Sequence, residues 1–266
     1  MKTTSELLHI VGHHPRPVNR KLTLPYGPRP LSGRSLPDVT MCSVCAAPTH
    51  VHPMCSPCDK RSKSCYRDRL ADVVVPLSYA GKQIRSCEQH YSDIYQYKEG
   101  SSPALYRLAA LLYLFYRHHA ACLVRHVGAP VRHVTAVPSG RGRTGHPLPE
   151  LAGSLKPSLF VPAQYVGLPR TGRANEMDPD DFAFDAPLSG HVMIVEDTWV
   201  TGANAQALAV KARECGADQV SIVVLARMLN PGFGLNPVLI KSEPFNRKWD
   251  LQPCPVTGDN CQPPTA

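Results

Sequence analysis

Two adjacent carboxylates, Glu196 and Asp197, stand directly before Thr198-Trp199-Val200-Thr201-Gly202, a short stretch with two hydroxyls and a terminal glycine. The chemistry open to that arrangement is recognition of a phosphorylated sugar. A loop ending at a helix start offers an anion free backbone N–H groups and the positive end of the helix dipole. Thr198 and Thr201 add hydroxyl donors, and Gly202, followed by Ala203, lets the backbone approach closely. Trp199, a bulky residue in such a loop, would cap or narrow the cradle. The two acids one short turn earlier can accept hydrogen bonds from vicinal sugar hydroxyls, so the implied ligand is a ribose 5-phosphate. At a strand end in an open cleft, Asp197 is expected to have no buried partner. The plainer reading is a strand end with solvated acids. Neither a G-x-x-x-x-G-K-[ST] loop nor a G-x-G-x-x-G turn after a strand is present, which excludes those two nucleotide-binding fingerprints.

A second constellation lies near the front. Cys42-Ser43-Val44-Cys45 and Cys55-Ser56-Pro57-Cys58 form two C-x2-C knuckles nine residues apart. Paired knuckles at this spacing bring four thiolates to one tetrahedral zinc, and with all four positions filled the site is structural rather than catalytic. The alternatives are two disulfides or a redox pair, the latter needing only one C-x-x-C. His50, His52 and Cys65 are surplus to a four-ligand site. The core of this module is expected to be separate from that of the main domain. Cys254 and Cys261 are too isolated in sequence to suggest a metal.

The elements that must hold these residues read as α/β. Val192 to Val195 is an apolar run of the kind found in buried parallel strands. After Gly202, Ala205, Leu208, Ala209, Ala212 and Cys215 fall on one helical face, Gly216 ends the helix, and Asp218 to Leu225 is a second buried strand. This is a βαβ unit, whose crossover should be right-handed. Upstream, Asp72 to Leu77 and His133 to Val137 read as strands. Ile84, Cys87, Tyr91, Ile94 and Tyr95 keep a helical face. A long amphipathic helix begins at Ser102 as N-cap with Pro103 behind it and ends near Gly128. Ligands of such sheets sit at the carboxyl ends of the strands.

Among the 266 residues, 43% are apolar, and no run reaches the length of a membrane span. His13, His14 and Pro15 stand where a signal peptide would need an apolar core. A cytoplasmic protein follows, in which ten cysteines need an explanation other than disulfides. Residues 1–70 carry eleven Lys/Arg against four Asp/Glu, so nearly all of the net charge of +8 belongs to the front. Residues 1–40, rich in Pro and Arg with no visible apolar period, read as a flexible basic arm, either a solvated tail or a contact for nucleic acid. Residues 41–70 form the cysteine module and 71–230 the α/β domain. The stretch 231–266 is an irregular tail that drapes over the domain or stays mobile. The oligomeric state is left open, a dimer included.

Val195-Glu196-Asp197-x-x-x-Thr201-Gly202 resembles the phosphoribosyl pyrophosphate (PRPP) motif of type I phosphoribosyltransferases. The order of paired cysteine knuckles, short strand, helix ending in Tyr97-Lys98 and long helix resembles the ComF family, competence-associated proteins with a zinc finger and a phosphoribosyltransferase domain. The resemblance covers about residues 41–230. It implies a mainly parallel sheet of the type I phosphoribosyltransferase kind. It implies transfer of phosphoribosyl from PRPP, with Mg²⁺, to a nitrogen acceptor, or a non-catalytic role in DNA uptake through the basic zinc module. Pro138 to Gly145 then occupies the place of the pyrophosphate loop, with Ser139, Gly140 and Arg141 cradling the leaving group. Here Arg143-Thr144-Gly145-His146 departs from the family's Arg-Gly-aromatic-amide pattern. Leu168 to Phe184 sits where the family has its mobile loop, from which Arg170 or Arg173 would close on pyrophosphate. Glu196 and Asp197 would hold the ribose hydroxyls. No general base is evident, and the acceptor is not readable.

Overall fold

Alternation inside the apolar strand runs decides the architecture. Val75, Met193, Val195, Val223 and Leu225 pack into one hydrophobic layer, while Val74, Val192, Ile194, Ile222 and Val224 pack into another. Successive side chains of a strand point to opposite faces, so this sheet is buried on both sides. The computed structural model describes residues 2–12, 14–15, 38–50, 52–140, 145–168 and 176–261.

In chain order the elements are helix α1 (Thr4–Val11), strands β1 (Val39–Met41) and β2 (Pro48–His50), helix α2 (Ser56–Ser62), strands β3 (Val73–Pro76) and β4 (Tyr79–Ala80), helices α3 (Glu88–Gln96) and α4 (Ser102–Val127), strand β5 (Val131–Ala136), helix α5 (Leu148–Leu155), strands β6 (Ala163–Tyr165), β7 (Phe182–Phe184) and β8 (His191–Trp199), helix α6 (Ala203–Glu214), strand β9 (Gln219–Met228) and helix α7 (Asn236–Lys241). The central sheet runs β3-β9-β8-β5 with every pairing parallel, and β4 continues the β3 edge along β9. Helix α4 covers the first layer and α6 the second. The chain is thus α/β with a parallel central sheet and a cysteine cluster near its N-terminus.

Several elements differ from the expectation. Strand β8 does not stop at Val195. Its ladder with β9 continues through Thr198↔Ala226 and Trp199↔Arg227, because backbone pairing is indifferent to the polarity of Glu196 and Asp197. The N-cap of α4 is Ser101 rather than Ser102, and Gly128 at φ +83° ends that helix. Residues 2–12 are not irregular. Thr3 and Glu6 form a reciprocal capping box, and α1 buries Leu7 and Val11 in the layer that α4 covers. The tail is packed as well: Trp249, Cys254 and Val256 are buried in the same layer, and the Trp249 indole N–H donates to the Leu77 carbonyl at 2.8 Å. The described end of the expected mobile loop is fastened down, with Lys211 of α6 pairing with Asp180 at 2.9 Å.

Candidate functional site

Strands β5 and β8 are parallel neighbours in register, Ala136 opposite Val195, and the Val137 N–H bonds the Val195 carbonyl at 3.0 Å. Their carboxyl ends therefore open at the same edge, and Pro138-Ser139-Gly140 stands beside Glu196-Asp197. Ser139 and Gly140 are half-buried, and a side chain at Gly140 would press on the Tyr165 ring. Arg141 and Arg173, the basic residues expected to meet pyrophosphate, lie outside the described residues, as does Arg170.

Asp197 is not an exposed acid in an open cleft. It is 4% exposed, and two segments remote in sequence converge on it. The Tyr97 hydroxyl donates to Oδ2, Lys98 Nζ pairs with the same oxygen at 2.6 Å, and His146 Nε2 lies at 3.5 Å. The Thr198 hydroxyl donates to Oδ1, so it serves the acid rather than standing free for a phosphate. Tyr97 and Lys98 come from the tight turn between α3 and α4, and His146 from the approach to α5. Sequence reasoning gave none of these three a site role; the one local trace was that a helix closes on Tyr97-Lys98.

The two acids are driven apart electrostatically. Burial works against the Asp197 charge, but Lys98, His146 and Thr198 outweigh it and hold its carboxyl well below the usual range. Burial, reinforced by the Asp197 charge, pushes Glu196 well above it. The Glu196 Oε1 still accepts from the Asp197 N–H at 3.1 Å. One acid is thus a fixed acceptor, and its neighbour is biased towards the neutral form, which can donate.

The following loop is oriented from below. Arg227, buried on β9, donates through Nη1 to the carbonyls of Trp199 at 2.9 Å and Val200 at 3.1 Å. Arg61 of α2 donates to the Thr201 carbonyl at 2.5 Å. Three successive carbonyls are held by guanidinium groups. In a trans peptide the N–H points opposite to its C=O, so the N–H groups of Val200, Thr201 and Gly202 face away from the two arginines. They lead into the first turn of α6, whose opening N–H groups have no partner within the helix itself. Gly202 adopts φ +83°, and a β-carbon there would run into the indole of Trp199. Trp199 accordingly does not cap the cradle. It is 1% exposed and packs beneath the loop as its floor.

The cysteine knuckles explain why two guanidinium groups are buried here. Cys42 and Cys45 lie in the β1–β2 turn, Cys55 caps α2 and Cys58 lies on its first turn. The four sulfurs lie within 4.8 Å of one another, Cys45 to Cys55 at 3.6 Å. A Zn–S bond of about 2.3 Å implies sulfur–sulfur edges of about 3.8 Å in a tetrahedron, so the cluster has the dimensions of a metal site. Four thiolates around a divalent ion carry a charge of −2, matched by Arg61 and Arg227. Burial opposes the Arg227 charge, but the Cys45 and Cys55 thiolates overcome it and raise its pKa. The module is not a separate core: Cys42, Cys45 and Cys58 share the α6-side layer with Val74, Trp199 and Ala205, and the Tyr79 hydroxyl bonds the Ala46 carbonyl at 2.9 Å.

The described basic residues of α2 and the turn after it are largely occupied. Arg61 is buried, Lys63 pairs with Asp59, Arg67 with Asp68, and Arg69 with Glu214. Residues 16–37 of the arm lie outside the described residues. Among the described residues no helix is long and apolar enough to cross a membrane.

No protein-family model, curated protein or solved structure matches this chain. Its site therefore has to be read from its own geometry.

Proposed function

We propose that the chain is a phosphoribosyltransferase-like protein of the ComF kind, which binds PRPP at the carboxyl edge of β5 and β8 and transfers phosphoribosyl to a nitrogen acceptor. The observation that carries this reading is the loop 199–202. Its carbonyls are clamped by Arg61 and Arg227, its N–H groups are turned to the other side, and the acid pair stands immediately before it. The 5-phosphate would bind the N–H groups of residues 200–203 and the Thr201 hydroxyl. Asp197 would accept from a ribose hydroxyl, and Glu196, held towards its neutral form, would donate to the other. Lys98 brings a cation to the same edge and would exchange Asp197 for the departing pyrophosphate. Displacement at ribose C1 passes through an oxocarbenium-like transition state, for which fixed acceptors near the ring are the useful device. With both Asp197 oxygens engaged and Glu196 biased towards neutrality, the pair offers no ready Mg²⁺ cage. The ion would arrive on the pyrophosphate as part of the substrate, and no step is assigned to it.

We infer further that the metal of the Cys42, Cys45, Cys55 and Cys58 cluster is a structural zinc. An all-thiolate, closed, buried and charge-balanced site suits it.

Titration calorimetry with PRPP and Mg²⁺ tests the first reading. Asp197→Asn removes a charge-assisted bond worth roughly 1.5–3 kcal/mol, so affinity should fall about ten-fold to a hundred-fold. Thr201→Val, losing one donor among several, should cost less. Absence of heat and of any thermal shift with the wild-type protein would end the PRPP reading. Binding without pyrophosphate release, across a panel of nucleobases and amines, would leave a binding protein rather than an enzyme.

A further inference from the structure

Cys254 and Cys261, isolated in sequence, are not isolated in space. Helix α4 presents His119 and Cys122, one turn apart on one face, to the packed tail. His119 Nδ1 lies 3.1 Å from Cys261 Sγ, and Cys122 Sγ lies 3.5 Å from the same sulfur. One ligand atom from each of the four residues falls within 4.8 Å of all the others. His119, Cys122 and Cys254 are buried, and Cys261 is half-buried at the rim.

We propose that His119, Cys122, Cys254 and Cys261 form a second zinc site, which fastens the C-terminal tail to α4. The donor set, three thiols and one imidazole, is one that structural zinc takes, and it is complete without water. The tail is folded for the purpose. The chain reverses after Cys254, where the Gly258 N–H bonds the Cys254 carbonyl at 2.8 Å and the Cys254 N–H bonds the Asp259 carbonyl at 2.9 Å. That reversal turns the amides of Val256 and Thr257 onto the Cys254 sulfur. The Cys261 N–H is held by the Gln252 side chain at 3.2 Å. Charge balance repeats the logic of the first cluster. Three thiolates and a divalent ion sum to −1, and Arg125 reaches the Cys122 sulfur at 3.4 Å. The buried group of His14, His90 and Asp93 differs. Its carboxylate is already neutralised by Arg107, at 2.6 and 2.9 Å, which leaves little to attract a cation.

The test is metal stoichiometry of the full chain, purified without chelator and measured by elemental analysis. Wild type should carry two zinc ions per chain. Cys254→Ser and Cys261→Ser should each lower that to one, with the circular dichroism of the fold retained. In cobalt-substituted protein, Cys254→Ser should remove the three-sulfur component of the visible spectrum and leave the four-sulfur component. If Cys254→Ser fails to fold, Cys261→Ser at the rim still decides. Should the first cluster bind no metal, wild type would carry one ion, lost on Cys261→Ser, and the proposal would stand. Zinc content unchanged by Cys261→Ser overturns it. So does a thiol count in denaturant that falls two short of the ten cysteines, since that marks a disulfide instead.

Discussion

The two sulfur clusters sit on opposite faces of one sheet, and their surroundings differ more than their ligands. The cluster of Cys42, Cys45, Cys55 and Cys58 belongs to the α6-side layer and is bordered by two buried guanidinium groups, whose other hydrogen bonds hold the loop 199–201. The cluster of His119, Cys122, Cys254 and Cys261 belongs to the α4-side layer and joins a helix to the tail. A change at the first should be transmitted through the hydrogen bonds of Arg227 and Arg61 to the loop proposed to bind the phosphate. A change at the second is transmitted to residues that do not line the cradle. On the proposed readings, similar chemistry would support ligand binding in one place and chain closure in the other.

The largest expected effect breaks the first cluster. Cys45→Ser should disrupt the proposed metal site and leave Arg227 buried without its counter-charge. Uncompensated burial of that kind costs roughly 3–5 kcal/mol, and both zinc and PRPP affinity should be lost together. A free-standing module would have unfolded locally; the shared layer predicts that urea denaturation shows the loss in the whole domain. Cys254→Ser should be milder and leave PRPP affinity within two-fold. If the two variants affect PRPP equally, the contrast between the faces is wrong.

Next in size is Arg227→Met, which keeps the four cysteines but strands the loop carbonyls. Buried carbonyls left without donors cost about 1–3 kcal/mol each, partly recovered by relaxation, so a net loss of about 2–4 kcal/mol is expected. Zinc content should hold while PRPP affinity drops. Wild-type affinity in this variant would show that the carbonyl clamp does not orient the cradle.

The acid pair supports the site edge from the other side, and pH separates its two members. Asp197, its pKa depressed in the fold, contributes stability that is present above its unfolded value of 3.8 and lost as pH falls through the folded value. Glu196, its pKa raised, does the reverse: stability falls as pH climbs from 4.5 towards the folded value. Glu196→Gln should therefore melt higher than wild type at neutral pH and match it near pH 4, with metal effects common to both proteins cancelling. A difference that does not grow with pH would mean the carboxyl is not held neutral.

What the sequence revealed follows sequence distance. The first cluster is written in two knuckles nine residues apart, and the βαβ unit around 191–228 in contiguous periodicity, so both were legible. The second cluster joins residues 139 and 142 apart, and no local pattern announces it. The Tyr97 partner of Asp197 is remote too, 100 residues away. The place of Trp199 is hidden in the sequence because the apolar run stops at Val195, whereas β8 runs on to Trp199 and sets the indole beneath the loop. Helix α1 was legible after all, in Thr3-x-x-Glu6, a capping box preceding Leu7 and Leu8.

The smallest expected effect tests what docks the cysteine module on α6. Arg69 reaches Glu214 at 2.7 Å, but both side chains are substantially exposed. Arg61 makes a comparable contact from a buried position, to a carbonyl that the cradle depends on. An exposed pair gains little over its hydrated parts, so Arg69→Ala should cost about 0.2–1 kcal/mol and less still at high salt. Arg61→Ala should cost more, be nearly indifferent to salt, and weaken PRPP binding, because the donor it removes faces Thr201. Denaturation of both variants at low and high ionic strength makes the comparison. A salt-sensitive loss above 2 kcal/mol for Arg69→Ala would place the docking energy in the surface pairs, and the buried guanidinium groups would then orient the loop without holding the module.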